Sequence, residues 1–317
     1  MDDASQVVYL NITYDCQYRC VFCVANVPSL PQRLSMKFSE LMKVASLAND
    51  RTVYVISGGE PTLHNSLLPF IRVLASRGAK TILQTNGYRL ADEDYCQKLI
   101  EAGISEIGIP FYHSINSRHD AITRKAGSFD HSIKGLQKLI AIKQRMDAGV
   151  VIEAKLLISK ITNDQNAGIV DFIMSLPLHP DKFLLKFLVS SIETEKNKDQ
   201  VEISFSEAAS GIGDTIIRLA SSNLPFWIAG LPLCVLPDEI RNLYVSCNRM
   251  RANNDQISVL YNDPNISGMK EEFLNVTALC PYGKDCAINM HCSGPEETYL
   301  EKHQDERIDH LGIHPIK

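Results

Sequence analysis

The sequence predicts an α/β protein whose core is a partial, TIM-like (β/α)6 barrel. Six short apolar runs, rich in β-branched or aromatic residues, alternate with amphipathic stretches over roughly the first 190 residues. Strands that are each followed by a helix pair in parallel, because parallel neighbours need a crossover connection. Conspicuous polar motifs follow the first three runs, at the strand ends where such sheets bind ligands. We therefore expect the functional site at one mouth of the barrel.

The predicted strands and helices alternate regularly along the chain. The strands are Val7–Thr13, Thr52–Ser57, Lys80–Thr85, Glu106–Tyr112, Val150–Ile158 and Lys182–Val189. The helices are Ser39–Ala48, Leu67–Arg77, Ala91–Ala102, His131–Met146 and Ala167–Ser175. Ser39 is expected to cap the first helix, and Gly78 and Gly103 to end the second and third, since glycine tolerates the left-handed backbone that follows many helices.

The alternation stops near residue 193, which predicts a barrel of residues 1–192 and a smaller, cysteine-rich C-terminal region of residues 193–317. The charged segment Glu193–Gln200 is expected to be a loop-like connector. Ser204–Ser222 predicts one more helix, and the backbone from Asn223 onward is expected to be irregular. Trp227, the only tryptophan, is expected to pack this region against the barrel.

Length and composition exclude several classes of protein. Of 317 residues, 45% are hydrophobic, which is enough for a substantial core. No apolar run of about 18 residues exists and the first residues are acidic, so we expect neither a membrane span nor a signal peptide. A formal net charge of −5 gives no general attraction for nucleic acid. We expect a cytosolic protein whose nine cysteines stay reduced, so their clustering indicates metal binding.

Three of these cysteines, Cys16, Cys20 and Cys23, follow the first predicted strand. A single loop can therefore hold three corners of a cubane iron–sulfur cluster and leave the fourth iron open to an exchangeable ligand. Zinc would need a fourth protein ligand, and no histidine or cysteine follows nearby to supply it. On the spacing alone, three incidental cysteines after a buried strand are the alternative.

This C-x3-C-x2-C pattern, with Phe22 before its last cysteine, resembles the signature of the radical S-adenosylmethionine (SAM) superfamily. Gly58, Gly59, Glu60 and Pro61 resemble the GGEP motif of the same family, although such a tetrapeptide alone is an ordinary turn. The resemblance implies a [4Fe-4S] cluster whose open iron binds SAM, and reductive cleavage of SAM to a 5′-deoxyadenosyl radical. It also implies that the GGEP backbone and acid hold the methionine amino group.

Further candidate contacts follow the later strands. Thr85 and Asn86 lie where the family faces SAM or substrate, although a turn-forming Asn-Gly also explains them. Lys155 is a charge inside an apolar strand, which needs a partner. The resemblance assigns Lys155 to the SAM carboxylate; an internal salt bridge with Glu153 or another acid is the alternative.

The segment after the fourth strand departs from the family pattern. Ser114 and Tyr112 stand where the family usually has a ribose-side serine, and they are candidates for that contact. Tyr112 and His113 are also the candidates for a catalytic role, with a structural histidine as the alternative. The segments His119–Thr123 and Gly127–Phe129 resemble radical SAM enzymes of the peptide-maturase and molybdenum-cofactor type.

The C-terminal cysteines resemble the auxiliary-cluster region of radical SAM maturases, particularly the His-Xaa-Ser system type. The resemblance implies a second [4Fe-4S] cluster with four ligands, namely Cys234, Cys280, Cys286 and Cys292. Cys247 could replace Cys234, and zinc bound by four thiolates is the alternative to a cluster. Cys96 lies in a predicted helix and is expected to be a buried small hydrophobe.

Three functional hypotheses follow. The first is modification of a small precursor peptide, by a crosslink, a thioether or an epimerisation; since the first strand begins near residue 6, a separate peptide-recognition protein would be required. The second is oxidation, epimerisation or rearrangement of a small molecule such as a sugar, an aminoglycoside or a nucleotide. The third is a non-enzymatic zinc- or cluster-binding adaptor. The resemblance implies a reductant protein, flavodoxin or ferredoxin, for the first two hypotheses.

Overall fold

The structure is a computed structural model, and it describes residues 6–31, 34–247, 256–262, 269–274, 280, 282, 286–288, 291–295, 297–302 and 313–316. The strands in these ranges are β1 (Gln6–Thr13), β2 (Thr52–Gly58), β3 (Lys80–Gln84), β4 (Glu106–Phe111), β5 (Val151–Ile158), β6 (Lys182–Phe187), β7 (Phe226–Ala229), β8 (Gln256–Asn262) and β9 (Met269–Leu274). They form one sheet in the order β7-β6-β5-β4-β3-β2-β1-β8-β9. All neighbours pair in parallel except the antiparallel pair β8 and β9. The sheet does not close on itself, which confirms the partial barrel.

The described residues form the six predicted helices, to within a few residues, and five further helices. They are α1 (Phe38–Ser46), α2 (Leu67–Ser76), α3 (Glu93–Glu101), α4 (Asn116–Thr123), α5 (Ser128–Arg145), α6 (Asn166–Met174), α7 (Ile192–Lys196), α8 (Lys198–Val201), α9 (Phe205–Ser221), α10 (Asp238–Cys247) and α11 (Glu297–Lys302). Gly78 and Gly103 have φ of 78° and 90° and end α2 and α3 as predicted. Ser39 does not cap α1: the helix begins one residue earlier and Lys37 is its cap. Helix α4 was not predicted, because its sequence has no apolar stripe.

The core lies between the sheet and its helices. Alternate strand residues such as Leu10, Ile56 and Ile107 are fully buried against the helix layer, as the two-residue period of a strand requires. Cys96 of α3 is completely buried in this layer, as predicted. The opposite alternation points into the barrel and carries polar side chains, which include Glu153 and Lys155 of β5. The sheet thus separates an apolar outer core from a polar interior.

Two expectations for the second half of the chain were wrong. The connector Glu193–Gln200 is helical, forming most of α7 and all but the last residue of α8, because Ser191 caps α7 and Glu193 is buried where Ser29 donates to its carboxylate. The backbone after Asn223 is regular in places: β7 extends the sheet beside β6, and β8 extends it beside β1. Short strands form because they pair with the edge of a neighbouring strand, and the local sequence does not reveal that partner.

Trp227 lies in β7, where the ammonium of Lys182 stands 5.3 Å from its ring centre. The boundary between residues 192 and 193 stays a prediction. In the ranges given above, no helix combines the length and the apolar character needed to cross a bilayer.

Candidate active site at the barrel mouth

The loop that carries Cys16, Cys20 and Cys23 follows β1 and is fixed by hydrogen bonds to distant parts of the chain. Its backbone amides at Arg19 and Val21 donate to the last turn of α4, at 3.0 and 3.1 Å. The side-chain amide of Asn197, between α7 and α8, donates to the Val21 carbonyl at 2.9 Å. Helix α4 and the junction between α7 and α8, which follow different strands, therefore hold the cysteine loop in one place.

The three thiols are close enough to influence one another. Burial is the main cause that raises the pKa of Cys16 to about 12 and that of Cys20 well above its usual value, and the Cys23 charge raises both further. Burial also raises the pKa of Cys23. Three partly buried thiols resist forming thiolates unless a cation compensates their charge, and a metal centre is such a cation.

The donor set fits a cluster with one iron that has no protein ligand. It offers three sulfur ligands on a single loop, and beside them Gln17 has a buried Oε1 for which the described residues provide no hydrogen bond. Among the described residues, no three His, Cys, Asp or Glu side chains are grouped as ligands of a single metal ion. A cubane cluster does not need its thiolates to converge on one metal ion, because each thiolate binds a different iron.

Gly58 and Gly59 join the end of β2 to the cysteine loop. A Cβ at Gly58 would stand 2.3 Å from the Thr13 carbonyl oxygen, and one at Gly59 would stand 2.4 Å from that of Asp15. The Gly59 and Glu60 amides donate to these same two oxygens, each at 2.7 Å. The glycines thus allow close approach to the backbone at the end of β1 and at the start of the cysteine loop.

Glu60 is completely buried and joins the loop after β2 to the loop after β3. Its Oε1 accepts from the Thr62 amide at 3.0 Å, the Thr62 hydroxyl at 2.6 Å and the Thr85 hydroxyl at 2.7 Å. Its Oε2 accepts from the Asn86 amide at 2.7 Å. Burial raises the pKa of Glu60, and these hydrogen bonds oppose the rise. Oε2 keeps capacity for a further donor, such as an ammonium group.

Asn86 reaches back to the cysteine loop. Its Nδ2 donates toward Cys16 Sγ at 4.0 Å, and its Oδ1 accepts from Gln17 Nε2 at 3.4 Å. Thr85 is used differently, because its hydroxyl donates to Glu60 and accepts from the Gly87 amide at 3.2 Å. The loops after β1, β2 and β3 therefore form one hydrogen-bonded unit, and this convergence is what the sequence predicted.

Aromatic side chains cover the inner side of the cysteine loop. The rings of Phe22 and Tyr112 meet edge to face with centroids 4.8 Å apart, and Cys20 packs against the same small cluster. Burial raises the pKa of the Tyr112 phenol well above its usual value. Both predicted residues therefore lie at the cysteine loop, where they exclude water from it.

The two histidines after β4 are engaged with the backbone. His113 Nδ1 accepts from the Ile115 amide at 2.9 Å, and burial lowers its pKa. His119 Nδ1 accepts from the Tyr112 amide at 3.4 Å, and burial lowers its pKa to about 4. Ser114 lies beside them, with its hydroxyl 3.8 Å from where a Cβ at Gly168 would stand. Both rings thus accept hydrogen bonds from the backbone, which agrees with the alternative of a structural histidine at His113. The catalytic role of His113 stays a prediction.

Lys155 lies inside the barrel and donates to Gln84 Oε1. Gly108, on the strand between them, makes this contact possible: a Cβ there would stand 2.8 Å from Gln84 Oε1 and 3.0 Å from Lys155 Cδ. Burial is the main cause that lowers the pKa of Lys155, and the Lys186 charge lowers it further while Glu153 opposes both. Sequence reasoning missed Gln84 and Gly108, although a glycine inside a strand is a signal of close approach.

Deeper in the barrel, the ammonium of Lys182 lies 2.7 Å from a carboxylate oxygen of Glu106 and 3.3 Å from one of Glu153. Glu153 therefore forms an ion pair with Lys182, and Lys155 donates a hydrogen bond to the side-chain amide of Gln84. An uncharged partner leaves the Lys155 charge available to an anionic group nearer the mouth.

The C-terminal cysteines predicted as a set affect one another's pKa values, although the described residues include no group of three or more His, Cys, Asp or Glu side chains placed to hold a single metal ion. Burial raises the pKa of Cys234, and the charges of Cys280 and Cys286 raise it further. Burial raises the pKa of Cys292 to about 11, and the charges of Cys234 and Cys280 also raise it. Cys247 is exposed at the end of α10.

Backbone amides point at these sulfurs. The Leu233 and Gly294 amides each donate to Cys292 Sγ at 3.4 Å, and a backbone hydrogen bond from His314 reaches Cys234. Such donors stabilise a thiolate, which is the form that binds iron or zinc. The donor set therefore fits a second metal centre, and its four sulfur ligands suit a cluster and zinc equally.

Comparison with known proteins supports this picture. Residues 10–153 match the family model described as the radical SAM superfamily. Fe-coproporphyrin III synthase of Methanosarcina barkeri is 29% identical over 138 residues, which are 42% of this chain and 34% of that protein. GTP 3',8-cyclase of Pasteurella multocida is 26% identical over 261 residues, which are 77% of this chain and 74% of that protein. The first of these alignments thus spans only about a third of its relative's length.

Among solved structures, Streptococcus suis SuiB bound to S-adenosylmethionine superposes with a TM-score of 0.64 at 14% identity, over 95% of this chain and 75% of SuiB. SuiB bound to its precursor peptide SuiA gives a TM-score of 0.57 at 15% identity, over 82% of this chain and 58% of SuiB. At these identities the likeness shows the fold.

Proposed function

We propose that this chain, whose residues 10–153 match the radical SAM superfamily model, is an enzyme of that superfamily that uses SAM to modify a small precursor peptide. A [4Fe-4S] cluster on Cys16, Cys20 and Cys23 would supply the electron that cleaves SAM to a 5′-deoxyadenosyl radical. Hydrogen abstraction by that radical would begin a crosslink, a thioether or an epimerisation. The non-enzymatic adaptor is not retained, because residues 10–153 match a superfamily of enzymes.

The observation that carries the proposal is the hydrogen-bonded unit of three loops at the mouth. The cysteine loop supplies three thiolates, and the Glu60 carboxylate, 2.7 Å from the Asn86 amide, fixes the loop after β3 against it. Glu60 Oε2 would accept from the SAM ammonium, and Lys155 would face the SAM carboxylate. Phe22 and Tyr112 would keep water away from the reacting atoms, which protects a radical from side reactions.

The C-terminal cysteines support the peptide-maturase assignment. Four thiols whose charges affect one another, two of which receive backbone amide hydrogen bonds, resemble the ligands of an auxiliary cluster, which maturases of this superfamily carry. The sequence likeness of residues 119–129 to peptide maturases adds support, and the fold likeness to SuiB extends over 95% of the chain. An auxiliary cluster would take up an electron or bind the substrate.

A small molecule is the second candidate substrate. The alignment with GTP 3',8-cyclase extends over 77% of this chain, and the charge of Lys186 lowers the pKa of Lys155 in the barrel interior. An interior of this kind suits an anionic small molecule such as a nucleotide.

The decisive experiment is iron and sulfide analysis of anaerobically reconstituted protein. The variant with Cys16, Cys20 and Cys23 all changed to alanine should lose about half the iron and all cleavage of SAM to 5′-deoxyadenosine. Cys96→Ala, in the outer core, is the matched control and should keep both. Loss of all iron in the triple variant would contradict a second cluster, and unchanged SAM cleavage would contradict the site.

The substrate classes separate in the same reaction. The peptide encoded by a short open reading frame beside the gene should stimulate 5′-deoxyadenosine formation and change its own mass. GTP as the probe should do neither. Stimulation by GTP with conversion of the nucleotide would instead favour the small-molecule candidate.

A further inference from the structure

We propose that Asn86 is a positioning residue that donates an N–H hydrogen bond to the Cys16 thiolate and thereby raises the reduction potential of the cluster at the barrel mouth. The inference depends on the proposed function, because it needs a cluster on Cys16, Cys20 and Cys23. It goes beyond that function by assigning a side chain outside the ligand set to the control of electron transfer.

The orientation of the Asn86 amide is fixed by its neighbours. Its Oδ1 accepts from the Tyr88 backbone amide at 3.0 Å and from Gln17 Nε2 at 3.4 Å. A backbone N–H is only a donor, so the atom that faces Tyr88 is the oxygen and the amide cannot be flipped. Nδ2 therefore faces Cys16, with 4.0 Å between Nδ2 and Sγ.

The backbone of Asn86 is held as firmly as its side chain. The amide donates to Glu60 Oε2 at 2.7 Å, and the carbonyl accepts from the Ser132 hydroxyl at 3.0 Å. Glu60 itself is completely buried. Every acceptor of Asn86 and its backbone donor are thus in use, which fixes the remaining donor, Nδ2, on the sulfur.

The physical effect of such a donor has a definite sign. Reduction adds negative charge to a cluster, and thiolate ligands share that charge. A hydrogen bond to a ligand sulfur stabilises the more negative, reduced form and raises the potential. The Tyr18 backbone amide, 3.4 Å from Cys16 Sγ, is a second donor to the same sulfur.

The test is the midpoint potential of this cluster, measured without SAM. Asn86→Asp keeps the oxygen that accepts from Tyr88 and removes the N–H donor, and Asn86→Ala removes both without adding charge. At a fixed potential, each should lower the ratio of reduced to oxidised cluster about tenfold, which is about 59 mV for a one-electron couple. Ser132→Ala is the matched control, since it removes a hydrogen bond to Asn86 but leaves Nδ2 in place; its potential should match wild type.

Potentials are read by electron paramagnetic resonance in a background with Cys280, Cys286 and Cys292 changed to alanine, so that only the mouth cluster gives a signal. If that background does not fold, the full chain serves, and the spectrum that persists without Cys16, Cys20 and Cys23 is subtracted. Unchanged potentials in both Asn86 variants, or an equal fall in Ser132→Ala, would overturn the inference alone. A wild-type protein with no mouth cluster would overturn the proposed function as well.

Discussion

Gly59→Ala tests whether the GGEP segment serves to dock the cysteine loop. The new Cβ would stand 2.4 Å from the Asp15 carbonyl oxygen and 2.8 Å from the Tyr14 carbonyl carbon. Both are backbone atoms, so no side-chain rotation can relieve the overlap, and the two loops must separate. Separation breaks the hydrogen bonds that the Gly59 and Glu60 amides make to the cysteine loop, each 2.7 Å long.

The size of the stability loss follows from the broken hydrogen bonds and from the steric overlap. Two hydrogen bonds are worth about 0.5 to 1.5 kcal/mol each, and forced overpacking costs about 1 to 3 kcal/mol. Gly59→Ala is therefore expected to lower the free energy of unfolding by about 2 to 6 kcal/mol. It should also displace Cys16 from its partners and reduce the iron content to about half, because only the mouth cluster is affected.

Gly149→Ala is the matched control. A Cβ there would meet nothing within 4 Å, so its stability should change by no more than about 1 kcal/mol. Urea unfolding followed by circular dichroism, with iron analysis of the reconstituted protein, measures both effects. If Gly59→Ala matched Gly149→Ala in unfolding midpoint and in iron, the docking role of Gly59 would be refuted.

Two further predictions concern the barrel interior and α4. Gly108→Ala should push Gln84 and Lys155 apart and raise the Kd for SAM about tenfold, equivalent to about 1.4 kcal/mol, by calorimetry on reconstituted protein; an unchanged Kd would argue against Lys155 as a SAM contact. Because burial lowers the pKa of His119 from 6.5 to about 4, the unfolded chain takes up a proton before the folded protein does, and stability falls as the pH drops through this window. Between about pH 7 and pH 4, the free energy of unfolding should fall by about 3 kcal/mol more in wild type than in His119→Gln, as measured by urea unfolding. Equal falls would contradict the lowered pKa of His119.

The sequence by itself determined the barrel and the position of its mouth. Alternating apolar residues predict strands such as Glu106–Phe111 wherever they occur, because one face of a strand must be buried. Helix ends at Gly78 and Gly103 depend only on the backbone freedom of one residue. The spacing of Cys16, Cys20 and Cys23 is likewise local, so the cysteine loop and its resemblance to radical SAM enzymes were visible without a structure.

The tertiary structure decided what those local features touch. Glu60 and Thr85 are 25 residues apart, and Lys155 and Gln84 are 71 residues apart, yet each pair shares a hydrogen bond. No local pattern encodes such partners, since they meet only when parallel strands are placed in register. The same holds for β7 and β8, which became regular because β6 and β1 offered them free edges. The sequence alone therefore indicated the candidate cluster ligands. The hydrogen bonds that orient them were decided by tertiary packing.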